Sequence, residues 1–212
     1  SFSQGKKNGV WNSWYENGIQ KSKGEYSNGE REGLWKYWYI KGAKEKEINF
    51  VNGRENGTSR GWYPDGTEKY LANYSIGKLN GEFLESDQNG NSISDGKYKN
   101  GEKWSGYFGD EHYINGIRGS LFTDFYKNGN KKVQGVLIQG KRSGLWTGWY
   151  SNGVTKFTGN YRNGKKEGKW VEWDISKNEK LNGIYKNDLP WKGQFGENYY
   201  SNGKIAQEYV KY

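Results

Sequence analysis

The stretch LWTGWYSNG at residues 145–153 joins two tryptophans and a tyrosine to an Asn-Gly pair, and it recurs along the chain. It returns as VWNSWYENG at residues 10–18 and, with Lys-Gly in place of Asn-Gly, as LWKYWYIKG at residues 34–42. A phrase repeated this closely indicates a repeating structural unit, and the period of that unit then decides the fold.

The length of the repeat is clearest at one position, which is almost always aromatic. It is occupied in turn by Tyr26, Phe50, Tyr74, Tyr98, Tyr113, Leu137, Tyr161, Tyr185 and Tyr209. Every step is 24 residues except the step of 15 residues from Tyr98 to Tyr113. The series predicts a single repeat domain over residues 1–212, with four repeats at 1–100, a shortened fifth repeat at 101–118 and four more at 119–212.

The units are predicted to be β-hairpins. Asn-Gly occurs fourteen times, and Asp-Gly at 65–66 fills one vacant place. These pairs favour the positive φ angles of tight hairpin turns, and the six to eight residues between them are rich in Trp, Tyr, Ile and Val. A Gly or an Asn-Gly pair interrupts every window in which a helix of three turns would form. The shortened repeat is expected to turn at Gly109-Asp110.

The predicted fold is all-β: an elongated, single-layer antiparallel β-meander of about nine 24-residue, two-stranded repeats, without helices of note. Equivalent positions lie two strands apart, or roughly 10 Å, so that their rings are expected to form aromatic ladders. A sheet of about eighteen strands is expected to become twisted or trough-like, because twist accumulates from strand to strand.

Period-two alternation places five tryptophans on one face of the sheet: Trp14, Trp38, Trp62, Trp149 and Trp173. The other face carries the series represented by Trp11, Trp35 and Trp146. Two interpretations of the five tryptophans stand at this point. They pack against one another as a thin core, or they form an open aromatic face that binds a partner.

The repeat resembles the bacterial variant of the MORN repeat, a hairpin unit built on W-x-x-W-Y-x-N-G and G-x-Y-x-N-G. The first motif stands at Trp11–Gly18, Trp35–Gly42 and Trp146–Gly153, and the second at Gly24–Gly29, Gly96–Gly101 and Gly159–Gly164. The resemblance implies an elongated sheet and an antitoxin-like or immunity-like protein, a scaffold, or a binder of acidic lipid. The chain departs from the pattern in its short fifth repeat, at Lys41-Gly42 and at Leu137. Hairpin repeats of cell-wall-binding modules are similar, but their period is shorter.

The sequence argues against an enzyme. His112 is the one histidine and there is no cysteine, which leaves nucleophilic and metal chemistry without partner residues. Most acidic residues stand beside lysines in predicted turns, as in Lys166-Glu167, and Asp87 and Asp174 fit turn positions at strand ends. We therefore expect no catalytic residues, no metal site and no cofactor, and we expect His112 to be a partly exposed turn residue.

Positive charge is concentrated in the second half of the chain. Residues 1–100 hold 15 Lys and Arg against 13 Asp and Glu, whereas residues 101–212 hold 18 against 11. Lys141-Arg142 and Lys165-Lys166 fill the same turn of successive repeats, 24 residues apart, and Lys131-Lys132 follow the opposite-edge turn at Asn128-Gly129. These basic pairs predict a basic ridge, formed by Lys131, Lys132, Lys141, Arg142, Lys165 and Lys166. The alternative is that these lysines are solvated and protect the sheet from aggregation.

Two classes of function follow. The first is a non-enzymatic scaffold that binds a protein through a sheet face or edge, in an immunity-like or antitoxin-like role. The second is a binder of cell-surface glycan on the aromatic face or of anionic lipid on the basic ridge. Nucleic acid is a less suitable partner, because the rings are mostly committed to the predicted ladders.

The composition leaves a cytoplasmic and an exported location open. No window approaches the roughly 18 apolar residues of a membrane span. The chain begins at Ser1 rather than at Met, which predicts that a leading segment was removed.

Overall fold

The computed structural model describes residues 1–208 and divides them into two compact units, unit 1 (residues 1–116) and unit 2 (from residue 117). Residues 1–208 contain strands and turns and no helix, which confirms the predicted all-β class. Within this part of the chain, therefore, no helix has the length and apolar character needed to cross a bilayer.

Unit 1 consists of a short hairpin followed by an antiparallel meander in which each strand pairs with the next. Its strands are β1 (Phe2–Ser3), β2 (Lys6–Lys7), β3 (Gly9–Trp14), β4 (Gln20–Ser27), β5 (Glu30–Trp38), β6 (Lys44–Val51), β7 (Arg54–Glu55), β8 (Gly57–Trp62), β9 (Glu68–Ser75), β10 (Lys78–Ser86), β11 (Ser92–Lys99), β12 (Glu102–Phe108) and β13 (Glu111–Ile114). Both β7 and β8 pair with β6, because Asn56 interrupts what would otherwise be one strand.

Unit 2 has the same sequential antiparallel pairing. Its strands are β14 (Ile117–Phe125), β15 (Lys131–Ile138), β16 (Lys141–Trp149), β17 (Thr155–Arg162), β18 (Lys165–Trp173), β19 (Glu179–Lys186), β20 (Leu189–Phe195), β21 (Asn198–Ser201) and β22 (Lys204–Glu208). Each regular repeat thus contributes two strands, and the predicted meander of hairpin repeats is confirmed.

The Asn-Gly pairs do not all form the same turn. At Asn28-Gly29 both residues have positive φ, as a tight two-residue hairpin requires. At Asn17-Gly18 only the glycine does, because Asn17 lies in a wider turn closed by the bond from the Tyr15 N–H to the Ile19 carbonyl. Asn17 instead accepts a hydrogen bond from the Ile19 N–H and donates one to the Ile40 carbonyl in the next repeat. The prediction of tight turns is therefore correct for one of the two turns in each repeat.

Tryptophans packed on glycines form the core of each sheet. The ring of Trp170 lies so close to Gly159 that a Cβ atom built on this glycine would be 2.1 Å from the ring. The indole N–H of Trp170 donates to the Asn160 carbonyl at 3.0 Å. The same pair of contacts joins Trp146 to Gly135 and Val136, and joins Trp35 to Gly24 and Glu25.

The rings around these tryptophans form the predicted ladder, but their geometry differs from simple stacking. In unit 2 the series runs from Trp146 through Tyr161, Trp170 and Tyr185 to Phe195, with centroids 4.9–5.9 Å apart and nearly perpendicular planes. Neighbouring strands supply tryptophan and tyrosine alternately, so that each ring presents its edge to the next, a favourable arrangement for aromatic quadrupoles. Trp146 is 1% exposed, and we call the face that carries it the buried face.

Tyrosine hydroxyls connect consecutive repeats at the wide turns. Tyr126 donates to the Trp149 carbonyl at 2.8 Å, and Tyr150 donates to the Trp173 carbonyl at 2.9 Å. In unit 1 the same bonds start from Tyr15, Tyr39 and Tyr63. The next position in each series is an aspartate, Asp87 or Asp174, whose carboxylate accepts hydrogen bonds from its own loop, as expected for a turn residue.

The shortened repeat turns at Gly109-Asp110, as predicted, since Phe108 pairs with Glu111 across β12 and β13. His112 lies in β13 beside Tyr107, so the expectation of a turn residue was wrong. Unit 2 contains a second short hairpin, in which Phe195 of β20 pairs with Asn198 of β21. The sequence analysis predicted a full repeat ending at Tyr209 in this region. Tyr209 lies outside the described residues.

The two short hairpins reveal a longer period. Trp104, Phe108, Gly109 and Tyr113 recur 87 residues later as Trp191, Phe195, Gly196 and Tyr200. The aspartates Asp87 and Asp174 are also 87 residues apart. In both copies the glycine of the following turn lies against the tryptophan and donates its N–H to the tryptophan carbonyl. The chain therefore contains an 87-residue duplication, which places equivalent residues in unit 1 and unit 2.

Replacing a core glycine tests the packing of tryptophan on glycine. We expect Gly159→Ala to lower the free energy of unfolding by about 1–3 kcal/mol, because the new methyl group displaces the Trp170 ring. Asn160→Ala is the control, since this neighbouring side chain is exposed and its backbone carbonyl still accepts the indole N–H. Urea denaturation measures both variants, and equal stabilities for the two would contradict the packing argument.

Tyr70 makes the stability of unit 1 sensitive to alkaline pH. Burial over Gly61 raises the pKa of Tyr70 to about 12 from its ordinary value of 10.0. Because the pKa is higher in the folded state, the stabilisation is complete below pH 10.0 and is lost as the pH rises toward about 12. Urea denaturation across this range should show a smaller loss of stability in Tyr70→Phe than in the wild type. Identical pH profiles would contradict the assignment.

Candidate partner-binding surfaces

The basic residues of the predicted ridge lie at two edges of unit 2, in the turns where the sequence pattern placed them. Lys141, Arg142, Lys165 and Lys166 lie at the tight turns that join β15 to β16 and β17 to β18. The Gly164 N–H donates to the Arg142 carbonyl at 2.9 Å, which connects these turns. Lys131 and Lys132 begin β15 at the opposite edge, next to the wide turns.

Two of the four residues at the tight turns cover the buried face. The guanidinium of Arg142 lies 4.5 Å from the centre of the Trp146 ring and donates to the Tyr161 hydroxyl at 2.9 Å. The ammonium of Lys166 lies 4.0 Å from the centre of the Trp170 ring. Both cations are half-buried and contribute cation–π attraction to the core. They are consequently structural parts of the sheet.

The remaining two residues, Lys141 and Lys165, are exposed. Arg162 pairs with Lys165 across the turn and is exposed as well. Within residues 1–208, no acidic side chain lies within ion-pair distance of these three cations. We call Lys141, Arg162 and Lys165 the basic edge. Arg162 is not among the residues predicted for the ridge, because it does not belong to a pair of consecutive basic residues.

At the opposite edge, the two lysines have partners. Lys132 forms an ion pair with Asp124 at 3.0 Å. The ammonium of Lys131 lies 3.3 Å from Gln134 Oε1 and 5.9 Å from the centre of the Trp149 ring. Lys131 and Lys132 therefore differ from the basic edge in two respects: they lie at the opposite edge, and their ammonium groups have partners.

The division into units sharpens the charge asymmetry seen in the sequence. Residues 1–116 hold 16 Lys and Arg against 16 Asp and Glu, so unit 1 carries no net charge. Residues 117–212 hold 17 Lys and Arg against 8 Asp and Glu, a net charge of +9. All of the net charge of the chain therefore resides in its second unit.

The five tryptophans of the predicted aromatic face occupy one register position, at the last residue of a strand beside a wide turn. They are Trp14, Trp38 and Trp62 in unit 1 and Trp149 and Trp173 in unit 2. Among the described residues, no ring pair includes any of them. They do not form the core, and we call the face that carries them the exposed face.

Aliphatic side chains accompany these tryptophans. Val10 and Trp14 are each 59% exposed, and Leu145 is 60% exposed. In unit 1, Val10, Leu34 and Trp38 share a hollow of about 390 Å³ with charged residues. In unit 2, Trp173 lines a hollow of about 440 Å³ with Val154, Thr155, Thr158 and Lys177. The exposed face of each unit thus carries apolar side chains that lie among charged ones.

Phe125 extends the tryptophan series in unit 2, where the sequence analysis did not include it. It is 54% exposed and occupies the register position that Trp149 and Trp173 hold in their repeats. The 87-residue period identifies it, because Phe125 follows Trp38 by 87 residues.

The ionisable groups with shifted pKa values have structural roles. Hydrogen bonds from Asn178 lower the pKa of Asp174, and hydrogen bonds from Asn91 lower the pKa of Asp87. The hydrogen bond to Glu111 raises the pKa of Lys103. His112 Nδ1 is buried without a hydrogen-bond partner. Within residues 1–208, no group of three or more His, Cys, Asp or Glu side chains is placed to hold a metal ion.

Comparison with known proteins supports the repeat assignment at two places. A family model described as "MORN repeat variant" matches residues 7–28 and 142–163. Each match covers one hairpin unit. It begins at the cation that lies over a tryptophan of the buried face, Lys7 over Trp11 or Arg142 over Trp146, and it ends at the asparagine of an Asn-Gly turn. No curated protein matches the chain.

The two kinds of basic residue at the tight turns should differ in their effect on stability. We expect Arg142→Ala to lower the free energy of unfolding by about 1 kcal/mol, because it removes the cation from the Trp146 ring and the hydrogen bond that Arg142 donates to the Tyr161 hydroxyl. Lys141→Ala, at the adjacent exposed position, should change it by less than about 0.5 kcal/mol. Urea denaturation compares the two variants, and an equal loss in both would contradict the division.

Proposed function

We propose, from the match to the MORN repeat variant, that this chain is a non-enzymatic repeat scaffold that binds a protein partner through the basic edge of unit 2. One observation carries the proposal: the net charge of +9 lies within unit 2, whose basic edge is exposed and without acidic partners in the described structure. A partner with an acidic surface would complement it.

The geometry of the edge suits a protein contact. The turns that carry Lys141 and Lys165 are connected by a backbone hydrogen bond, so the cations are held at a repeating distance of roughly 10 Å. Arg142, fixed over the Trp146 ring, adds positive potential directly beside them, whereas Lys166 lies 3.8 Å from the carboxylate of Glu172. Such a field accelerates association with an acidic partner and selects against basic ones.

The non-enzymatic part of the proposal rests on how the ionisable groups are used. Asp87 and Asp174 are held by their own loops, and Lys103 is held by Glu111. Each shifted pKa described above has such a structural cause. Within residues 1–208, these ionisable groups act in turns and ion pairs, which supports the proposal of a non-enzymatic scaffold.

An immunity-like or antitoxin-like role in a bacterium is the specific form of this proposal. In that role the partner is an effector protein, and binding to the basic edge covers an acidic surface that the effector needs. This form predicts that the captured partner arrests growth when it is expressed alone and that co-expression of this chain relieves the arrest.

A pull-down with matched variants tests the contact. The edge variant is Lys141→Ser, Arg162→Ser and Lys165→Ser. The control is Arg54→Ser and Lys78→Ser, since these exposed residues lie 87 positions before Lys141 and Lys165 in equivalent turns of unit 1. We expect one protein to be retained by the wild type and the control, lost from the edge variant and released by high salt.

Two results would overturn the proposal. Capture of the same partner by the edge variant would remove the basic edge from the contact. Retention of acidic vesicles, with no protein enriched, would favour the alternative function of binding anionic lipid. The growth assay tests the immunity-like role alone. A captured partner that does not arrest growth would indicate a scaffold that assembles other proteins.

A further inference from the structure

The duplication allows the exposed faces of the two units to be compared position by position. Charged side chains on the exposed face of unit 1 are replaced in unit 2 by hydroxyl or amide side chains: Lys36 by Thr123, Glu47 by Gln134, Arg60 by Thr147 and Glu68 by Thr155. Each replacement removes a charge and keeps the capacity to form hydrogen bonds. The two faces share a backbone arrangement and differ in chemistry.

In unit 1 these charges satisfy one another. Glu47 lies 2.9 Å from Lys44 and 4.0 Å from Lys36, and Arg60 lies 3.8 Å from Glu68. In unit 2 the amide of Gln134 donates to the hydroxyl of Thr123 at 3.1 Å. The four positions that hold ion-paired charges in unit 1 are therefore uncharged in unit 2, while Lys169 in β18 and Lys177 beside Trp173 keep their charges.

The rings on this face are evenly spaced. Phe125, Trp149 and Trp173 end alternate strands at the same register position, so neighbouring rings lie roughly 10 Å apart. The hollow beside Trp173 is lined by Val154, by the hydroxyl-bearing Thr155 and Thr158 and by Lys177. The ammonium of Lys131 lies 5.9 Å from the centre of the Trp149 ring, so that cations border the strip without belonging to it. We call Phe125, Thr147, Trp149, Thr155, Thr158 and Trp173 the neutral strip.

We propose that the neutral strip binds a neutral, linear polysaccharide that lies across the strands. A sugar ring presents weakly positive C–H groups on its flat face, which pack against the negative face of an aromatic ring. Its equatorial hydroxyls project sideways, where threonine and glutamine side chains donate and accept hydrogen bonds. A β-1,4-linked chain repeats every second sugar over a length similar to the two-strand spacing, so that successive rings meet equivalent sugars.

Several features favour a glycan over a protein on this surface. The strip is a line of separate rings, and polar side chains flank them. A protein contact of standard size is a broad patch with a fully buried, more apolar centre, in which anchor side chains fill pockets. An acidic polymer would be drawn to the basic edge, where the unpaired cations lie. The inference is independent of the proposed protein contact, because the two use different surfaces of unit 2.

Titration with defined oligosaccharides tests the inference. Cellohexaose and chitohexaose are titrated into the full chain by calorimetry and by tryptophan fluorescence, at low and at high salt. We expect saturable binding of at least one of them, unaffected by salt, and weaker binding of maltohexaose, because its α-linkages curve the chain. Trp149→Ala with Trp173→Ala should weaken binding by about tenfold or more.

Matched variants separate a binding effect from a folding effect. Trp14→Ala with Trp38→Ala removes two rings at equivalent register positions in unit 1 and should leave binding unchanged. Gln134→Glu with Thr147→Arg introduces the residues that unit 1 holds at these positions, Glu47 and Arg60, and should abolish binding without lowering stability. The edge variant of the pull-down experiment should bind the oligosaccharides like the wild type.

Other results would overturn the inference. They are the absence of saturable binding to all three oligosaccharides, equal weakening by the tryptophan substitutions in unit 1, or full binding by Gln134→Glu with Thr147→Arg. A protein whose capture depends on Trp149 and Trp173, when no oligosaccharide binds, would assign the strip to a protein interface instead.

Discussion

The packing of a tryptophan ring on a glycine of the neighbouring strand is the contact on which each sheet depends. A single-layer sheet has no second layer to cover its apolar face, so its rings must lie flat against the backbone. Only glycine allows the approach seen between Trp170 and Gly159. The indole N–H then donates to the adjacent carbonyl, which satisfies a polar group that the same approach buries.

The packing of tryptophan on glycine also determines which basic side chains stabilise the sheet. Once the rings lie flat, their outer surfaces accept cations, and Arg142 and Lys166 cover Trp146 and Trp170 in successive repeats. Their neighbours Lys141 and Lys165 emerge on the other side of the strand, because successive side chains alternate between faces. Two lysines or arginines that are adjacent in sequence therefore differ in function, one stabilising the sheet and the other available to a partner.

Comparison of the two copies of the duplication shows that the core is kept while the surface differs. Both copies keep the core rings, the turns and the short closing hairpin, whereas their exposed faces differ in charge. Ion pairs such as Arg60–Glu68 give way to neutral side chains in unit 2, while its tight turns gain cations. A repeat whose stability resides on one face leaves the opposite face and the edges free to change. This accounts for two chemically distinct surfaces on one unit.

The sequence by itself determined the period, the hairpin units and the all-β class, because Asn-Gly turns and alternating aromatics are local signals. It also placed Trp149 and Trp173 on one face and Asp87 and Asp174 in turns. Only the tertiary structure decided which face is buried, because both faces carry aromatic residues and the choice depends on contacts between Trp170 and Gly159, in different strands. The tertiary structure likewise showed that Arg142 covers a ring whereas Lys141 is exposed. A sequence pattern shows that both are charged, but it does not show which side chain lies over a ring. The 87-residue period was present in the sequence, and the second short hairpin made it visible because it pairs residues equivalent to those of the first.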